Sequence, residues 1–358
     1  MDTIVSFKNV QKTYDGESLV VKNLNLDIRE GEFLTMLGPS GSGKTTCLMM
    51  LAGFETATHG QILLKEREIN RIPPERRNIG MVFQSYALFP NMSVRENLAF
   101  PLKVRKLSQT EIADRVKKAL AMVTMEKFAD RMPGQLSGGQ QQRIAVARAL
   151  VFEPALVLMD EPLGALDKQL REQMQYEIKR IHAQSGLTIV YVTHDQNEAM
   201  TMSDRIAVFN NGRIQQLASP SSLYESPDTA FVGRFIGESN EMHGTVQSIS
   251  GGFCALALEN GVVLKAVVGP DIAVGSKASV LMRPEKVLVG AVAASCENNF
   301  ESRVTDVIYY GDHLRLLCSV CGHQDFIVKI PNDGEAQRIQ VGDALSVGWR
   351  AEASRALH

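Results

Sequence analysis

Residues 33–51 of this chain, FLTMLGPSGSGKTTCLMML, decide its fold. The apolar run Phe33–Leu37 stops at a glycine-rich segment, and residues 45–51 then have the character of a helix. Glycines let the backbone curl so that several N–H groups point inward, and the N-terminus of the following helix adds partial positive charge. The stretch therefore predicts a buried strand, an anion-binding loop and a helix.

The loop matches the phosphate-binding pattern GxxxxGK[ST] at every fixed position. Lys44 would reach the β- and γ-phosphates of a nucleotide, and the Thr45 hydroxyl would hold Mg²⁺. The alternative is a chance glycine-rich turn, but such a turn needs neither a strand before it nor a helix after it. We predict that ATP is bound by the loop and the start of its helix, namely Gly38, Pro39, Ser40, Gly41, Ser42, Gly43, Lys44, Thr45 and Thr46.

A second apolar strand, residues 155–159, is followed by two acidic residues, Asp160 and Glu161. At the carboxyl edge of a sheet, Asp160 could bind Mg²⁺ through water, and Glu161 could polarise or deprotonate an attacking water. Such a strand end is a weak signal alone. Together with the phosphate loop it predicts ATP hydrolysis, with Glu161 as a catalytic residue and Asp160 as a metal ligand.

The segment Leu136-Ser137-Gly138-Gly139-Gln140 stands immediately before another helix. Ser137 could cap that helix, and the N–H groups of the segment would form a second anion site. A simple helix cap is the competing interpretation. Two phosphate-binding helix starts in one chain suggest that they share one nucleotide, within a subunit or across a dimer. We therefore predict that residues 137–140 contact ATP.

Three further side chains are candidates because of their places in the sequence. His194 ends a third apolar strand, at residues 187–192, and could contact the γ-phosphate, although a surface histidine in a loop fits the pattern equally. Gln84 follows a strand in the same way and could contact Mg²⁺ or the attacking water. Tyr14 offers an aromatic face for adenine, although ordinary packing is the more frequent role of a lone tyrosine.

The order of the apolar strands indicates the fold class. Residues 168–183, between the last two strands, place Leu170, Met174, Ile178 and Ile181 on one face at helical spacing. Strand, helix and strand in this order predict parallel pairing. We therefore predict a doubly wound α/β domain of the phosphate-loop NTPase class over residues 1–240.

The composition changes from Gly244 onward to short alternating runs separated by turn signals such as Asn260-Gly261. Segments 274–283 and 341–350 agree at Val, Gly, Ser, Val and Arg, which indicates a duplication. We predict a smaller all-β C-terminal domain, residues 241–358, built from two OB-like barrel units.

Composition also limits the classes of function. A formal net charge of −2 over 358 residues provides no broad positive field, so we predict no nucleic-acid partner. Five scattered cysteines favour a reducing compartment. Cys318 and Cys321 form a lone CxxC pair, and two thiols in a β-rich tail is the preferred interpretation over a zinc site. No signal peptide or apolar window of membrane-spanning length is visible, so a membrane role would need another chain.

The phosphate loop, residues 136–140, Asp160-Glu161 and His194, in this order, resemble the nucleotide-binding subunits of ABC transporters over the whole chain, and residues 136–140 are the most specific part of the resemblance. The resemblance implies a head-to-tail homodimer that encloses two ATP molecules, so the phosphate loop is incomplete in a monomer. Gly164-Ala165-Leu166-Asp167 occupies the place of the family's D-loop, with Gly164 where serine is common. The retained Asp167 is thereby implied to belong to the nucleotide site.

The doubled tail narrows the resemblance to importer ATPases related to the maltose, sulfate and polyamine systems. FQSYALFP at 83–90 and Arg283-Pro284-Glu285 are typical of that group, and FIGESN at 235–240 most resembles the spermidine/putrescine type. The resemblance implies polyamine uptake with two integral membrane permease subunits and a separate solute-binding protein. It also implies a peripheral position on the cytoplasmic face of the inner membrane. An importer of iron, sulfate or sugar, a soluble ABC ATPase acting on ribosomes or DNA, and a tail that binds a regulator stay open.

Overall fold

A computed structural model describes residues 2–334 and 338–358 and divides the chain into two compact units, Met1–Pro220 and Ser221–His358. This division falls before the boundary expected after residue 240. The reason is that residues 221–240 form hydrogen bonds with the β-rich second unit. The guanidinium group of Arg283 donates hydrogen bonds to the carbonyl oxygens of Tyr224 and Gly233, each at 2.9 Å.

The first unit alternates strands and helices. Its strands are β1 (Thr3–Thr13), β2 (Leu19–Arg29), β3 (Phe33–Leu37), β4 (His59–Leu64), β5 (Arg67–Glu68), β6 (Ile79–Val82), β7 (Leu156–Asp160), β8 (Thr188–Thr193), β9 (Arg205–Asn210) and β10 (Arg213–Ala218). Its helices are α1 (Lys44–Ala52), α2 (Val94–Val104), α3 (Gln109–Met122), α4 (Gly138–Leu150), α5 (Lys168–Ser185) and α6 (Gln196–Met202). Short 3₁₀ turns lie at Pro74–Arg76, Glu126–Phe128 and Pro133–Gln135.

A six-stranded sheet in the order β10-β9-β3-β8-β7-β6 forms the centre of this unit. All neighbouring pairs from β9 to β6 are parallel, which confirms the predicted α/β core, and only β10 is antiparallel. Leu37 pairs with Thr193, and Asp160 pairs with Val192. The carboxyl ends of β3, β7 and β8 therefore lie side by side. A second, antiparallel sheet has the order β2-β1-β4-β5.

The strand sequences explain why both faces of the central sheet are covered. In β8, Ile189 and Tyr191 belong to one buried apolar cluster, whereas Val190 and Val192 belong to another. Successive strand residues point to opposite faces, so a continuous apolar run can contribute to two cores. The predicted helix 168–183 is α5, which buries Met174, Ile178 and Ile181 and ends at Gly186, with φ of 62°.

The second unit is predominantly β. Helices α7 (Pro220–Glu225), which begins at the last residue of the first unit, and α8 (Ala230–Phe235) precede its strands. The strands are β11 (Asn240–Ser250), β12 (Phe253–Leu258), β13 (Val263–Val268), β14 (Lys277–Met282), β15 (Leu288–Val289), β16 (Asn298–Tyr309), β17 (His313–Val320), β18 (His323–Pro331), β19 (Ala344–Trp349) and β20 (Ser354–Leu357). Further 3₁₀ turns lie at Pro284–Lys286, Gly290–Ser295 and Ala351–Ala353.

These strands form a closed barrel, β11-β12-β13-β20-β14, and a five-stranded sheet, β15-β19-β16-β17-β18. β11 pairs with β12 and β14, and β16 pairs with β17 and β19, so the barrel and the sheet repeat one pairing pattern, which confirms the predicted duplication. The repeats β11–β15 and β16–β20 exchange their last strands. β20 pairs with β14 of the barrel, and β15 pairs with β19 of the five-stranded sheet. The two repeats therefore depend on each other to form the barrel and the sheet.

In the part of the chain that the structure describes, no helix is long and apolar enough to cross a bilayer.

Candidate active site

The phosphate loop joins β3 to α1 through two backbone conformations that favour glycine. Gly41 and Gly43 have φ of 76° and 100°, in the left-handed region. A β-carbon on Gly43 would also lie 2.9 Å from the carbonyl oxygen of Val20. The loop curls as its sequence predicts, because only glycine meets both demands at this position.

Lys44 lies buried inside the curl. Its Nζ atom donates hydrogen bonds to the carbonyl oxygens of Gly38 at 2.7 Å and Pro39 at 2.8 Å. Burial lowers the pKa of Lys44, and the carboxylates of Glu161 and Asp160 oppose that shift. An ammonium group held only by neutral oxygens can exchange them for charged phosphate oxygens, which form stronger hydrogen bonds.

Thr45 and Asp160 meet across the sheet edge. The Thr45 hydroxyl donates to Oδ1 of Asp160 at 3.2 Å. Burial raises the pKa of Asp160, the Thr45 hydrogen bond lowers it, and the neighbouring Glu161 raises it further. A hydroxyl and a carboxylate are oxygen donors of the kind that Mg²⁺ prefers, so this pair fits the predicted metal ligands.

Glu161 and His194 follow neighbouring strands and are in contact. Nδ1 of His194 lies 3.1 Å from Oε1 of Glu161, and the histidine side chain is 58% exposed. Glu161 has a left-handed φ of 44°, although it is not glycine. Its N–H donates to the carbonyl oxygen of Val192 at 3.0 Å, which holds this conformation in place. The Glu161 backbone is therefore fixed at the edge of the sheet, and its carboxylate lies beside an accessible imidazole.

Gln84 is exposed just after β6 and reaches the same edge. Its Nε2 atom is 3.7 Å from the place a β-carbon on Gly164 would take. That distance is ordinary van der Waals contact, so the serine common at this position in the family would fit here. The structure thus brings Gln84 to the turn that follows Glu161.

Ser137 caps α4, as the sequence predicts. Its hydroxyl accepts a hydrogen bond from the N–H of Gln140 at 3.4 Å, and Oε1 of Gln140 accepts one from the N–H of Ser137 at 3.0 Å. Gly138 is exposed, whereas Gly139 is buried against Leu170, whose Cδ1 would lie 2.9 Å from an added β-carbon. Packing therefore favours glycine at position 139, because a larger residue would have to displace the Leu170 side chain.

Two further residues predicted to contact the nucleotide, Asp167 and Tyr14, lie apart from the pair Glu161 and His194. Asp167 caps α5, and its Oδ1 accepts a hydrogen bond from the N–H of Leu170 at 2.9 Å. Tyr14, after β1, is 60% exposed, so ordinary core packing does not describe it. The ammonium group of Lys12 lies 4.7 Å from the centre of its ring.

Sequence reasoning missed a polar cluster behind His194. Oε2 of Glu198 accepts hydrogen bonds from the hydroxyls of Tyr191 and Thr193, each at 2.7 Å. Glu198 is only 2% exposed, and burial raises its pKa. Arg171 lies beside it and bonds to Asp195. The spacing of Asp195 and Glu198 at a helix start was the available signal, since it is that of a capping residue and the third helical position.

The cysteine pair lies in the second unit. Cys318 is buried in β17, and Cys321 adopts a left-handed φ of 50° in the turn after it. Burial raises the pKa of each thiol to about 11. Across residues 2–334 and 338–358, no group of three or more His, Cys, Asp or Glu side chains is arranged to hold a metal ion.

Two family models match the chain: one described as ABC transporter, at residues 21–164, and one described as TOBE domain, at residues 280–357. The chain is 46% identical over 349 residues to the spermidine/putrescine import ATP-binding protein PotA of Rubrobacter xylanophilus, covering 97% of this chain and 92% of that protein. It is 48% identical over 309 residues to the protein of the same name from Vibrio cholerae, covering 86% and 81%.

Two solved structures resemble the first unit. One is the dimeric ATP-binding cassette MJ0796 in a post-hydrolysis state bound to ADP and phosphate, with 37% identity and a TM-score of 0.55 over 61% of this chain and 99% of that chain. The other is cbiO1 of Clostridium perfringens, part of the transporter complex cbiONQ, with 30% identity and a TM-score of 0.59 over 62% of this chain and 91% of that chain.

Proposed function

This chain belongs to the ATP-binding proteins of ABC transporters, and from that premise we propose that it hydrolyses ATP to drive polyamine uptake through separate membrane permeases. The observation that carries the reaction is the 3.1 Å contact between Glu161 and His194 beside the phosphate loop. The cargo, spermidine or putrescine, is proposed because relatives that match nearly the full chain are spermidine/putrescine import ATP-binding proteins.

Each residue at the sheet edge would have a separate role in the reaction. The loop N–H groups and Lys44 would bind the phosphates, and Tyr14 would stack on adenine. Glu161 would accept the proton of the attacking water as that water approaches the γ-phosphate. His194 would contact the γ-phosphate while its other ring nitrogen keeps the Glu161 carboxylate oriented.

Thr45, Asp160 and Gln84 would hold Mg²⁺. The fit rests on the donor chemistry, because the Thr45 hydroxyl and the Asp160 carboxylate already lie 3.2 Å apart. When bound, the ion would neutralise charge that develops on the phosphate oxygens.

A second copy of the chain would complete the site. Ser137 and Gly138 are exposed at the start of α4, so they can approach the γ-phosphate of an ATP bound by another subunit. The similar cassette MJ0796 is described as dimeric with ADP and phosphate, which supports this arrangement. Loss of the γ-phosphate would remove the group that bridges the two subunits, and the dimer would open.

Residues 84–96 would contact the two permease subunits and transmit the opening movement of the dimer to them. This segment is firmly held, because Arg148 donates to the carbonyl oxygens of Tyr86 at 2.9 Å and Ala87 at 2.8 Å. Asn97 accepts a hydrogen bond from the N–H of Phe89 at 2.9 Å. The chain would work as a peripheral subunit on the cytoplasmic face of the inner membrane, with a separate solute-binding protein delivering the cargo.

The test is uptake into sealed liposomes that contain this chain and the permease pair of a spermidine/putrescine importer. ATP enclosed with the chain should drive uptake of radiolabelled spermidine or putrescine delivered by the binding protein of that importer. The Glu161→Gln variant should abolish uptake. Uptake of sulfate, maltose or iron without polyamine uptake would overturn the cargo, and ribosome-bound ATPase activity without uptake would overturn the transporter role.

A further inference from the structure

We propose that Arg171 is a positioning residue that holds the His194 loop against the turn after Glu161 and so sets the contact between these two side chains. The inference rests on the proposed function, because it assigns a role around the ATP site. Arg171 lies on α5, behind the sheet edge, where neither the phosphate-binding pattern nor the family resemblance pointed to it.

The guanidinium group binds both sides of the site. Its Nη2 donates to the carbonyl oxygen of Leu166 at 3.0 Å, and its Nη1 donates to Oδ2 of Asp195 at 3.1 Å. Its Nε lies 3.9 Å from Oε1 of Glu198. One planar group thus joins the turn that follows β7 to the turn that follows β8. Its fork has a fixed shape, so it sets the spacing between them.

The first residue that Arg171 binds, Leu166, is connected to Glu161 by backbone hydrogen bonds. The N–H of Gly164 donates to the carbonyl oxygen of Glu161 at 3.2 Å, and the N–H of Leu166 donates to the carbonyl oxygen of Leu163 at 3.2 Å. Two successive turns therefore connect Glu161 to the Leu166 carbonyl that Arg171 holds. A shift of Leu166 would move the Glu161 backbone with it.

The second residue that Arg171 binds, Asp195, immediately follows His194 in the chain. Asp195 receives the Arg171 hydrogen bond on Oδ2 and uses Oδ1 to cap α6, accepting from the N–H of Asn197 at 2.8 Å. On the other side of His194, Thr193 is buried and donates to Glu198. Both neighbours of His194 are thus fixed in a cluster that Arg171 completes, while the imidazole itself is exposed and contacts Glu161.

The start of α5 and the residue Leu166 before it also contact the first turn of α4. The Leu170 side chain packs on Gly139, and Cδ2 of Leu166 would lie 3.4 Å from a β-carbon on Gly138. The beginning of α5 therefore lies between this glycine pair and the His194 loop. A displacement of either glycine can pass through α5 to Arg171, and from there to His194.

The first test reads the position of His194 without any hydrolysis. Histidine labelled at Cε1 is incorporated into the full chain, and the His194 resonance is assigned by its loss in His194→Ala. Arg171→Gln should shift that resonance, and Asp195→Asn should shift it as well, because asparagine keeps the α6 cap but weakens the ion pair. The matched control Arg180→Gln, on the same helix but bonded to Glu177, should leave it unmoved. An unmoved resonance in both site variants overturns the proposal.

The second test is a double-mutant cycle on ATP hydrolysis. Arg171→Gln should lower kcat by about tenfold to a hundredfold with little change in KM, because misplacing a catalytic group by about 1 Å has an effect of that size. In the His194→Ala background the same substitution should have almost no further effect. Equal fold-losses in both backgrounds would mean that Arg171 does not act through His194, and would overturn the proposal.

The two tests separate this inference from the function on which it rests. Absence of ATP hydrolysis by the wild-type chain would refute the proposed function, yet the His194 resonance would still report whether Arg171 positions that ring. Normal hydrolysis together with an additive cycle would refute the inference alone.

Discussion

Nδ1 of His194 lies 3.1 Å from Oε1 of Glu161, across the adjacent ends of β8 and β7. Parallel pairing makes this contact possible, because Asp160 and Val192 are partners in register, and Glu161 and His194 then leave β7 and β8 at the same edge of the sheet. The contact joins a fixed carboxylate to an accessible ring, and it suggests the first of five predictions.

Glu161→Gln should keep ATP binding and reduce hydrolysis by about 10²- to 10⁴-fold, the usual contribution of a general base. The amide can still accept a hydrogen bond from His194 but cannot take a proton from water. Phosphate release and nucleotide binding are measured on the same preparation. Glu172→Gln, an exposed change on α5, is the control and should turn over normally. Unreduced turnover in Glu161→Gln would remove Glu161 from the mechanism.

Ser137→Asp separates the capping role of Ser137 from a role at phosphate. Aspartate caps a helix as well as serine, so the free energy of unfolding should change by less than about 0.5 kcal/mol. Hydrolysis should still fall by about tenfold or more, because a carboxylate would face the γ-phosphate of the second subunit.

The control for this variant is Ser108→Asp, since Ser108 and Glu111 form the same kind of cap on α3. That variant should hydrolyse ATP at the normal rate. Denaturant unfolding and steady-state hydrolysis are compared for both. If Ser137→Asp hydrolyses ATP normally, the segment is only a helix cap.

Glu198 should make stability depend on pH. Burial raises its pKa above the ordinary value of 4.5, with Arg171 and Asp195 as its charged neighbours. The folded chain therefore holds this proton more tightly than the unfolded chain. That contribution is complete below pH 4.5 and is lost as the pH rises through the raised pKa.

The Glu198→Gln variant lacks this titration but keeps an oxygen that accepts from Tyr191 and Thr193. The difference in the free energy of unfolding, wild type minus variant, should therefore fall as the pH rises above 4.5, by at most about 1.4 kcal/mol per pH unit. Urea unfolding across this range measures it. Parallel curves for the two proteins would show that Glu198 does not titrate differently on folding.

Cys318 and Cys321 should resist alkylation in the folded chain. Burial raises the pKa of each thiol from 9.0 to about 11. The thiolate fraction at pH 8 is then lower by about a hundredfold, because each pKa unit changes it tenfold, and the thiolate is the reactive form. Iodoacetamide labelling followed by peptide mass spectrometry, with and without denaturant, gives the two rates. Protection that a metal chelator removes would instead favour a zinc site.

Ending the chain after residue 297 should unfold the closed barrel as well as remove strands β16–β20. β20 pairs with both β13 and β14, so its loss opens the barrel and exposes two strand edges. Circular dichroism and limited proteolysis report the result. A chain ending after Pro220 is the control and should stay folded, because the cores of the first unit need no later residue. A protease-resistant core within residues 221–297 would contradict the exchange.

The local motifs could be predicted from the chain because each needs only neighbouring residues. Gly41 and Gly43 permit the curl of the phosphate loop, and Ser137 caps the helix directly after it. The apolar strands with α5 between the last two predicted parallel pairing, since a crossover helix leaves little choice of direction. Helix and strand bounds were also close, with residues 155–159 predicted where β7 is Leu156–Asp160.

Contacts between distant residues depended on packing that no local pattern contains. Glycine is favoured at position 139 because Leu170, from another helix, occupies the space beside it. Arg171 meets Leu166 and Asp195 only because α5 packs beside the end of β8. β20 joins the closed barrel because pairing there satisfies the backbone N–H and C=O groups at the edges of β13 and β14. The phosphate loop could therefore be predicted from the sequence alone. The arrangement that holds His194 beside Glu161 forms only when the whole domain folds.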